Sequence, residues 1–235
     1  MILLPFNNQC IEAEFIQRYK RFSIEVSFRG KTLWAHTNNT GSMLGLLRPG
    51  QKVWLSRAKN PNRKLPYTLE LVRIHDMWVG VNTLTPNRIL KKAWEMNHIP
   101  ELESFDHFSS EVTYGDSRFD TCVSNKDTKL WIEAKNVTLV EDDVAAFPDA
   151  ITTRGQKHLQ TLTQMRQSGL NTALFFLVQR SDAQCFAPAD YVDPQYAKLF
   201  YAAISEGVQI WVYQANISQS GIGLGDMLPV IYKRF

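Results

Sequence analysis

The sequence has no long apolar run, few cysteines and no biased tract. Its longest fully apolar stretch, Ala173-Leu174-Phe175-Phe176-Leu177-Val178, is six residues. That is far short of the roughly 20 residues a membrane helix needs, so it reads as a buried strand. The opening Met1-Ile2-Leu3-Leu4-Pro5 is apolar but has no basic region ahead of it and is too short for a signal peptide, so a cytoplasmic location is expected. The 3 cysteines, Cys10, Cys122 and Cys185, are odd in number and far apart, with no C-x-x-C spacing. Reduced, partly buried thiols are the simplest reading; a zinc site or a catalytic thiol is the alternative. There is no internal repeat. Gly221-Ile222-Gly223-Leu224-Gly225 opens no helix and lacks the spacing of a dinucleotide-binding loop, which excludes that function.

With 44% apolar and 21% charged residues, the 235-residue chain can bury a core and form one large domain or two smaller ones. The net charge of +3 hides an asymmetry. Residues 1–85 carry 12 Lys+Arg and 5 Asp+Glu (+7), whereas 86–235 carry 14 and 18 (−4). A basic module beside an acidic one suits a polyanion-binding chain with an acidic site, although a chance split of surface charge gives the same count.

The first module reads as all-β. Val26-Ser27-Phe28 and Leu33-Trp34-Ala35-His36 flank the turn Arg29-Gly30. Val53–Leu55, Tyr67–Val72 and Met77–Val81 add further strands, for about five in all, which favours a small OB-fold-like barrel. At Thr85-Pro86 the pattern changes: Thr85 can cap a helix, Pro86 suits its first position, and Ile89, Leu90, Ala93 and Trp94 share a face. The expected division is therefore 1–85 and 86–235. Beyond it, strands are expected at 111–114, 119–123, 130–137, 171–179 and 208–213. Helices are expected at 151–167, closed by Gly169, and from Asp193-Pro194 to Gly207. Three strands followed by helix–strand–helix–strand predict a mixed sheet with helices on its faces.

The chemistry centres on Trp131-Ile132-Glu133-Ala134-Lys135. On a strand, Trp131, Glu133 and Lys135 point one way and Ile132 and Ala134 the other. Two charges on an otherwise apolar strand are costly unless paired. If the preceding strand pairs with it, Asp120 meets Glu133 across the hairpin, with Glu111 as a third acid. Converging carboxylates favour Mg2+ or Mn2+, which can activate water and stabilise charge on a phosphodiester. Asp120, Glu133 and Glu111 are the candidate metal ligands, with the Ala134 carbonyl as a further one, and Lys135 would handle the water or the phosphate charge. An ordinary cross-strand ion pair is the alternative. A Glu-x-Lys arises about once by chance in such a chain, and Asp127-Thr128-Lys129 repeats the spacing in a polar turn; the apolar strand distinguishes Glu133.

Basic side chains cluster elsewhere. Arg154, Gln156, Lys157 and His158 occupy the first turns of a helix, where they can touch phosphate or site water, or simply face solvent. Arg18-Tyr19-Lys20-Arg21-Phe22, and Arg57, Lys59, Arg63 and Lys64 near Tyr67, interleave cations with aromatics as nucleic-acid-binding surfaces do. The loop His36–Met43 is rich in small polar residues and reads as a phosphate cradle or a turn.

Several blocks, taken in order, resemble the bacterial and archaeal sugar fermentation stimulation protein A family over nearly the whole chain. They include Gln17–Phe22, Asn39–Met43, Arg63–Thr68, Val81–Thr83, Pro86–Arg88, Glu111–Gly115, Glu133–Leu139, Phe147–Ala150 and Arg154–Leu159. The resemblance implies an OB-fold joined to a PD-(D/E)xK nuclease-like domain, DNA binding with little sequence specificity, and a stimulating effect on sugar (maltose) use. Asp120, Glu133 and Lys135 match the family's Asp…Glu-x-Lys core and Glu111 its upstream acid. Gln156 and His158 fall on the helix that lends further site residues. The family pattern has valine and serine where this chain has Ala134 and Asn136, which removes no charged group. Three functions follow as expectations: a Mg2+-dependent nuclease, a DNA-binding regulator without catalysis, and, least supported, a sugar or nucleotide sensor.

Overall fold

A computed structural model describes residues 1–7, 9–43 and 45–232. The chain begins with the short strand β1 (Leu4–Pro5) and then builds a barrel from β2 (Ile11–Tyr19), β3 (Ser23–Phe28), β4 (Lys31–His36), β5 (Lys52–Arg57) and β6 (Tyr67–Ile74), with β7 (Met77–Gly80) added at its side. The order is β4-β3-β2-β5-β6-β7, and a parallel contact of Ala35 with Tyr67 and His36 with Thr68 closes the five strands into a ring. This is OB-fold connectivity. Ala13, Phe15, Ile24, Val26, Val53, Leu55 and Leu69 alternate inward to fill it. Arg29 (φ 51°) and Gly30 (φ 75°) both take the left-handed conformation at the β3–β4 turn, as a two-residue hairpin of the primed type requires.

The barrel's central strand, β2, is not among those expected from the sequence, and the place given to it was filled by β7. Glu12, Glu14, Gln17 and Arg18 leave only Ala13 and Phe15 as fully buried positions, and a bulge between Phe15 and Gln17 breaks the alternation.

After the barrel come α1 (Thr85–Glu95), β8 (His107–Tyr114), β9 (Ser117–Ser124), β10 (Lys129–Val137), β11 (Leu139–Glu141), β12 (Val144–Phe147), α2 (Thr153–Gln167), β13 (Asn171–Val178), β14 (Cys185–Pro188), α3 (Pro194–Ser205), β15 (Gln209–Ser218) and β16 (Gly221–Met227). A seven-stranded mixed sheet runs β1-β16-β15-β13-β10-β9-β8, with β10, β13 and β15 parallel at its centre. The six-residue apolar run is β13, covered on both faces. Ala173, Phe175 and Leu177 pack toward α1, and Leu174, Phe176 and Val178 toward α2 and α3.

Several local features differ from the expectations or go beyond them. Leu84, not Thr85, is the residue before α1, and Asn82 Oδ1 takes the Leu84 N–H. α2 starts at Thr153 with Thr152 as its cap, so Ile151 stays outside. Gly221–Gly225 lies in β16. A Cβ on Gly223 would collide with the Met1 carbonyl, so glycine there lets the start of the chain lie against the strand. In consequence β1 belongs to the large sheet although it precedes residue 85. A small sheet of β11, β12 and β14 was also not anticipated; its strands are only 3 to 4 residues long.

Candidate metal centre and nucleic-acid interface

The pleat of β10 separates its side chains as expected: Ile132 and Ala134 go to the α1 side, and Trp131 to the side covered by α2 and α3. Glu133 is buried at 4% exposure and is held by two neighbours. Lys135 Nζ donates to its Oε1 at 2.6 Å, and His158 Nδ1, from α2, donates to the same oxygen at 2.5 Å. The other oxygen, Oε2, is buried without a hydrogen-bond partner. Burial alone would raise the carboxyl's pKa, but Lys135 and His158 overcome it and hold the group at about 2.

Asp120 arrives from β9. The β9–β10 ladder runs to Ile132 opposite Thr121. One residue further, Asp120 Oδ2 takes the Ala134 N–H at 2.9 Å, so a carboxylate stands in for the partner strand's carbonyl. Asn87 Nδ2 of α1 donates to Asp120 Oδ1 at 2.9 Å. Burial raises the Asp120 pKa, and the Glu133 charge adds to the rise. The two carboxylates thus lie within electrostatic reach of each other.

Glu111 does not join them. Its φ of 56° turns it out of the β8–β9 ladder between the pairs Ser110–Thr121 and Val112–Phe119. It forms an exposed ion pair with Arg118 at 2.9 Å. Among the described residues, no three His, Cys, Asp or Glu side chains converge as a cation site. Gln156 is also engaged elsewhere: its Nε2 donates to both carboxylate oxygens of Asp193 at 2.9 and 3.0 Å. Asp193 caps α3 through Tyr196 N–H and takes the Thr152 N–H as well, tying α2 to α3. Arg154 and Lys157 are exposed on the outer side of α2.

Two neighbours were not singled out from the sequence. Asn87 is one; it lies in the Pro86–Arg88 block and one residue after Pro86 at the start of α1, but no role was assigned to it. Tyr196 is the other, fully buried with a hydroxyl that lacks a partner. Burial, then the charges of Glu133 and Asp193, push its pKa well up.

The barrel side divides into committed and free groups. Arg18 donates to the carbonyls of Gly41, Arg21 and Asn39 at 2.7 to 3.0 Å, so it braces the 39–41 loop. That loop is a clasp: Ser42 Oγ and Met43 N–H both bond Asp149 in the second module. The Met43 N–H is thereby unavailable for a phosphate. Arg63 donates to Thr68. Lys20 sits over the Tyr19 ring at 5.4 Å, and Arg21, Arg57 and Lys64 are exposed. Between the modules a cleft of about 220 Å³ opens beside the acids, lined by Asn39, Thr83, Ala134, Lys135, Phe147 and Asp149. The three cysteines are free thiols.

Family models match both modules: residues 16–81 match the SfsA N-terminal OB domain and 84–221 the sugar fermentation stimulation protein RE domain. A sugar fermentation stimulation protein homolog of Syntrophobacter fumaroxidans is 54% identical over 229 residues, covering 97% of this chain and 88% of that protein. One from Maridesulfovibrio salexigens is 51% identical over 231 residues, covering 97% of each. The solved structure of Pyrococcus furiosus SfsA in complex with Ca2+ superposes with a TM-score of 0.92 at 25% identity, over 99% of this chain and 100% of that one. The chain therefore belongs to the sugar fermentation stimulation protein family.

Proposed function

We propose that this chain binds DNA through its barrel and hydrolyses phosphodiesters with Mg2+ or Mn2+ at Asp120 and Glu133, with little sequence specificity. The observation that carries the reading is the buried, unpartnered Oε2 of Glu133 in a site where Asp120 supplies a second acid. An all-oxygen donor set of two carboxylates, with the Ala134 carbonyl as a third ligand, suits a hard cation that keeps several waters. Ca2+, in the related Pyrococcus furiosus protein, is such a cation. When bound, the cation would acidify a water and offset charge on the phosphate.

The side chains have separable tasks. Lys135 and His158 hold Glu133 Oε1, which fixes the carboxylate's rotamer and leaves Oε2 for the cation. Lys135 also lines the cleft, where its ammonium neutralises charge developing on a phosphoryl oxygen. Asn87 positions Asp120. Arg154 and Lys157 on α2, and Lys20, Arg21, Arg57, Arg63 and Lys64 on the barrel, contribute phosphate contacts. Arg18, Gln156 and Glu111 then act indirectly or not at all, given their other partners. The functional division follows 1–85 and 86–235, with β1 lent to the second module.

Cleavage of single-stranded, duplex or branched DNA in Mg2+ or Mn2+, lost in Glu133→Ala/Lys135→Ala, is the expected result. Cleavage no greater than that of the variant on every substrate refutes the catalytic reading. A second reading, a non-catalytic DNA-binding regulator of sugar-use genes, is favoured by the +7 charge of residues 1–85. It predicts binding that falls steeply with salt and no cleavage at all.

A further inference from the structure

A groove of about 800 Å³ runs between the β5–β6 loop and α1, away from the acids. Its lining includes Arg57, Lys59 and Arg63 on the loop side and Arg88 and Lys92 on the helix side. The only acid among the lining residues is Glu70, which is buried and satisfied by Ser56 Oγ at 2.6 Å and Asn82 Nδ2 at 2.7 Å. Lys92 is paired with Glu95 at 2.6 Å, so Arg57, Lys59, Arg63 and Arg88 carry the positive charge of a channel whose one lining carboxylate already has partners, and an anionic chain laid there meets cations on both walls.

The groove continues into an aromatic strip. His36, on its edge, stacks parallel to Phe22 at 6.2 Å, and Phe22 is 53% exposed. Two residues back on β4, Trp34 (39% exposed) meets Tyr19 (54% exposed) edge to face at 5.9 Å. Singly exposed aromatics are ordinary on a surface. Here three exposed rings, Phe22, Trp34 and Tyr19, with the half-buried His36 beside them, form two contacting pairs that lead into a basic channel. At the other end, α1 carries Arg88 in the groove and, one residue earlier, Asn87 on Asp120. The groove and the Lys135 cleft are divided by a thin partition: Asn38 and Asn82 line one side, Asn39 and Thr83 the other.

We infer that this strip and groove bind single-stranded nucleic acid, with bases stacked on Trp34 and Phe22 and phosphates tracked by Arg57, Arg63 and Arg88 toward the Asp120 site. A duplex keeps its bases stacked on one another and offers these rings nothing, whereas every unpaired base has a face to present. The inference names the substrate class of the site proposed above and rests on the nucleic-acid half of that reading.

The test is fluorescence anisotropy in EDTA, which removes cleavage from the readout. The full chain is titrated with a labelled oligodeoxythymidylate and with a duplex of equal length. The single strand is expected to bind at least about tenfold more tightly. Phe22→Ala/Trp34→Ala should lose about tenfold or more on the single strand and little on the duplex, while Trp34→Phe, which keeps a ring, retains affinity. Arg57→Gln/Arg88→Gln should weaken binding and flatten the logarithmic salt slope by about 1.4, or about 0.7 per phosphate contact. These side chains are exposed or groove-lining, so an unchanged thermal midpoint verifies folding. Equal or tighter duplex binding, or full single-strand affinity in the double aromatic variant, overturns the inference. Because no metal is present, a failed cleavage assay leaves this result standing, and a failed binding assay leaves the metal site untouched.

Discussion

Replacing Lys135 with methionine removes one of the two groups that hold the Glu133 carboxylate ionised in a site only 4% exposed. The magnitude can be worked in two ways. A carboxyl held at about 2 rather than 4.5 gains about 3 kcal/mol of native stability at neutral pH. Breaking a buried ion pair by deleting one partner typically costs about 3–5 kcal/mol. His158 remains on Oε1 and water can enter from the cleft, so Lys135→Met should cost about 2–3 kcal/mol. In a chain of this size that lowers the thermal midpoint by about 4–12 °C. The pH dependence has a definite sign. Glu133's contribution is present above the unfolded value of 4.5 and is lost as pH falls toward 2, so the gap between variant and parent should be widest near neutrality and close in acid. Bound at the cation site proposed above, Ca2+ would supply the missing positive charge, and a cation at a hundredfold excess over its Kd would add about 2.7 kcal/mol. Ca2+ should therefore raise the variant's midpoint at least as much as the parent's. Melts followed by near-ultraviolet circular dichroism, in EDTA and in excess Ca2+, read both effects. A variant as stable as the parent in EDTA at pH 7 would refute the reasoning.

Three further outcomes follow. Asp193→Ala removes the α3 cap and leaves the Thr152 N–H unpaired, which should cost about 3 kcal/mol in urea denaturation. Because its carboxyl is held below 3.8 by the bonds from Thr152, Tyr196 and Gln156, against the opposing effect of burial, that stability exists above pH 3.8 and fades as pH drops below it. Glu111→Ala should leave cation affinity within about twofold in calorimetry, since its carboxylate is exposed on Arg118; a larger loss would mean that Glu111 swings into the site. Gly80→Ala drives a Cβ into the Gln179 side chain, which bonds Asn136 and Asn82, and should cost about 1–3 kcal/mol by chemical denaturation.

Much of the second module was legible because its signals are local. The run 173–178 reads as a buried strand and is one, Asp193-Pro194 opens α3 as expected, and the two-residue pleat put Glu133 beside Lys135. Asp120 was legible once β9 and β10 were taken as a hairpin. What escaped depends on distance in sequence or on broken periodicity. The bulge in β2 hid a central barrel strand, and a positive φ at Glu111 turned an acid outward that strand alternation placed with the others. The clasp from Ser42 to Asp149 joins residues 107 apart, so the loop expected to be a phosphate cradle or a turn is tied to the other module. The contact of Asn87 with Asp120 and the unpartnered Oε2 of Glu133 are visible only after helix, hairpin and α2 meet.

The central claim is that Asp120 and Glu133 share one hard divalent cation. Isothermal titration of Mn2+ into the metal-free chain, repeated with Asp120→Asn and Glu133→Gln, tests it most directly. The account predicts a single site in the parent, with affinity reduced more than about tenfold by either substitution. No binding by the parent, or unchanged affinity in both variants, would contradict it.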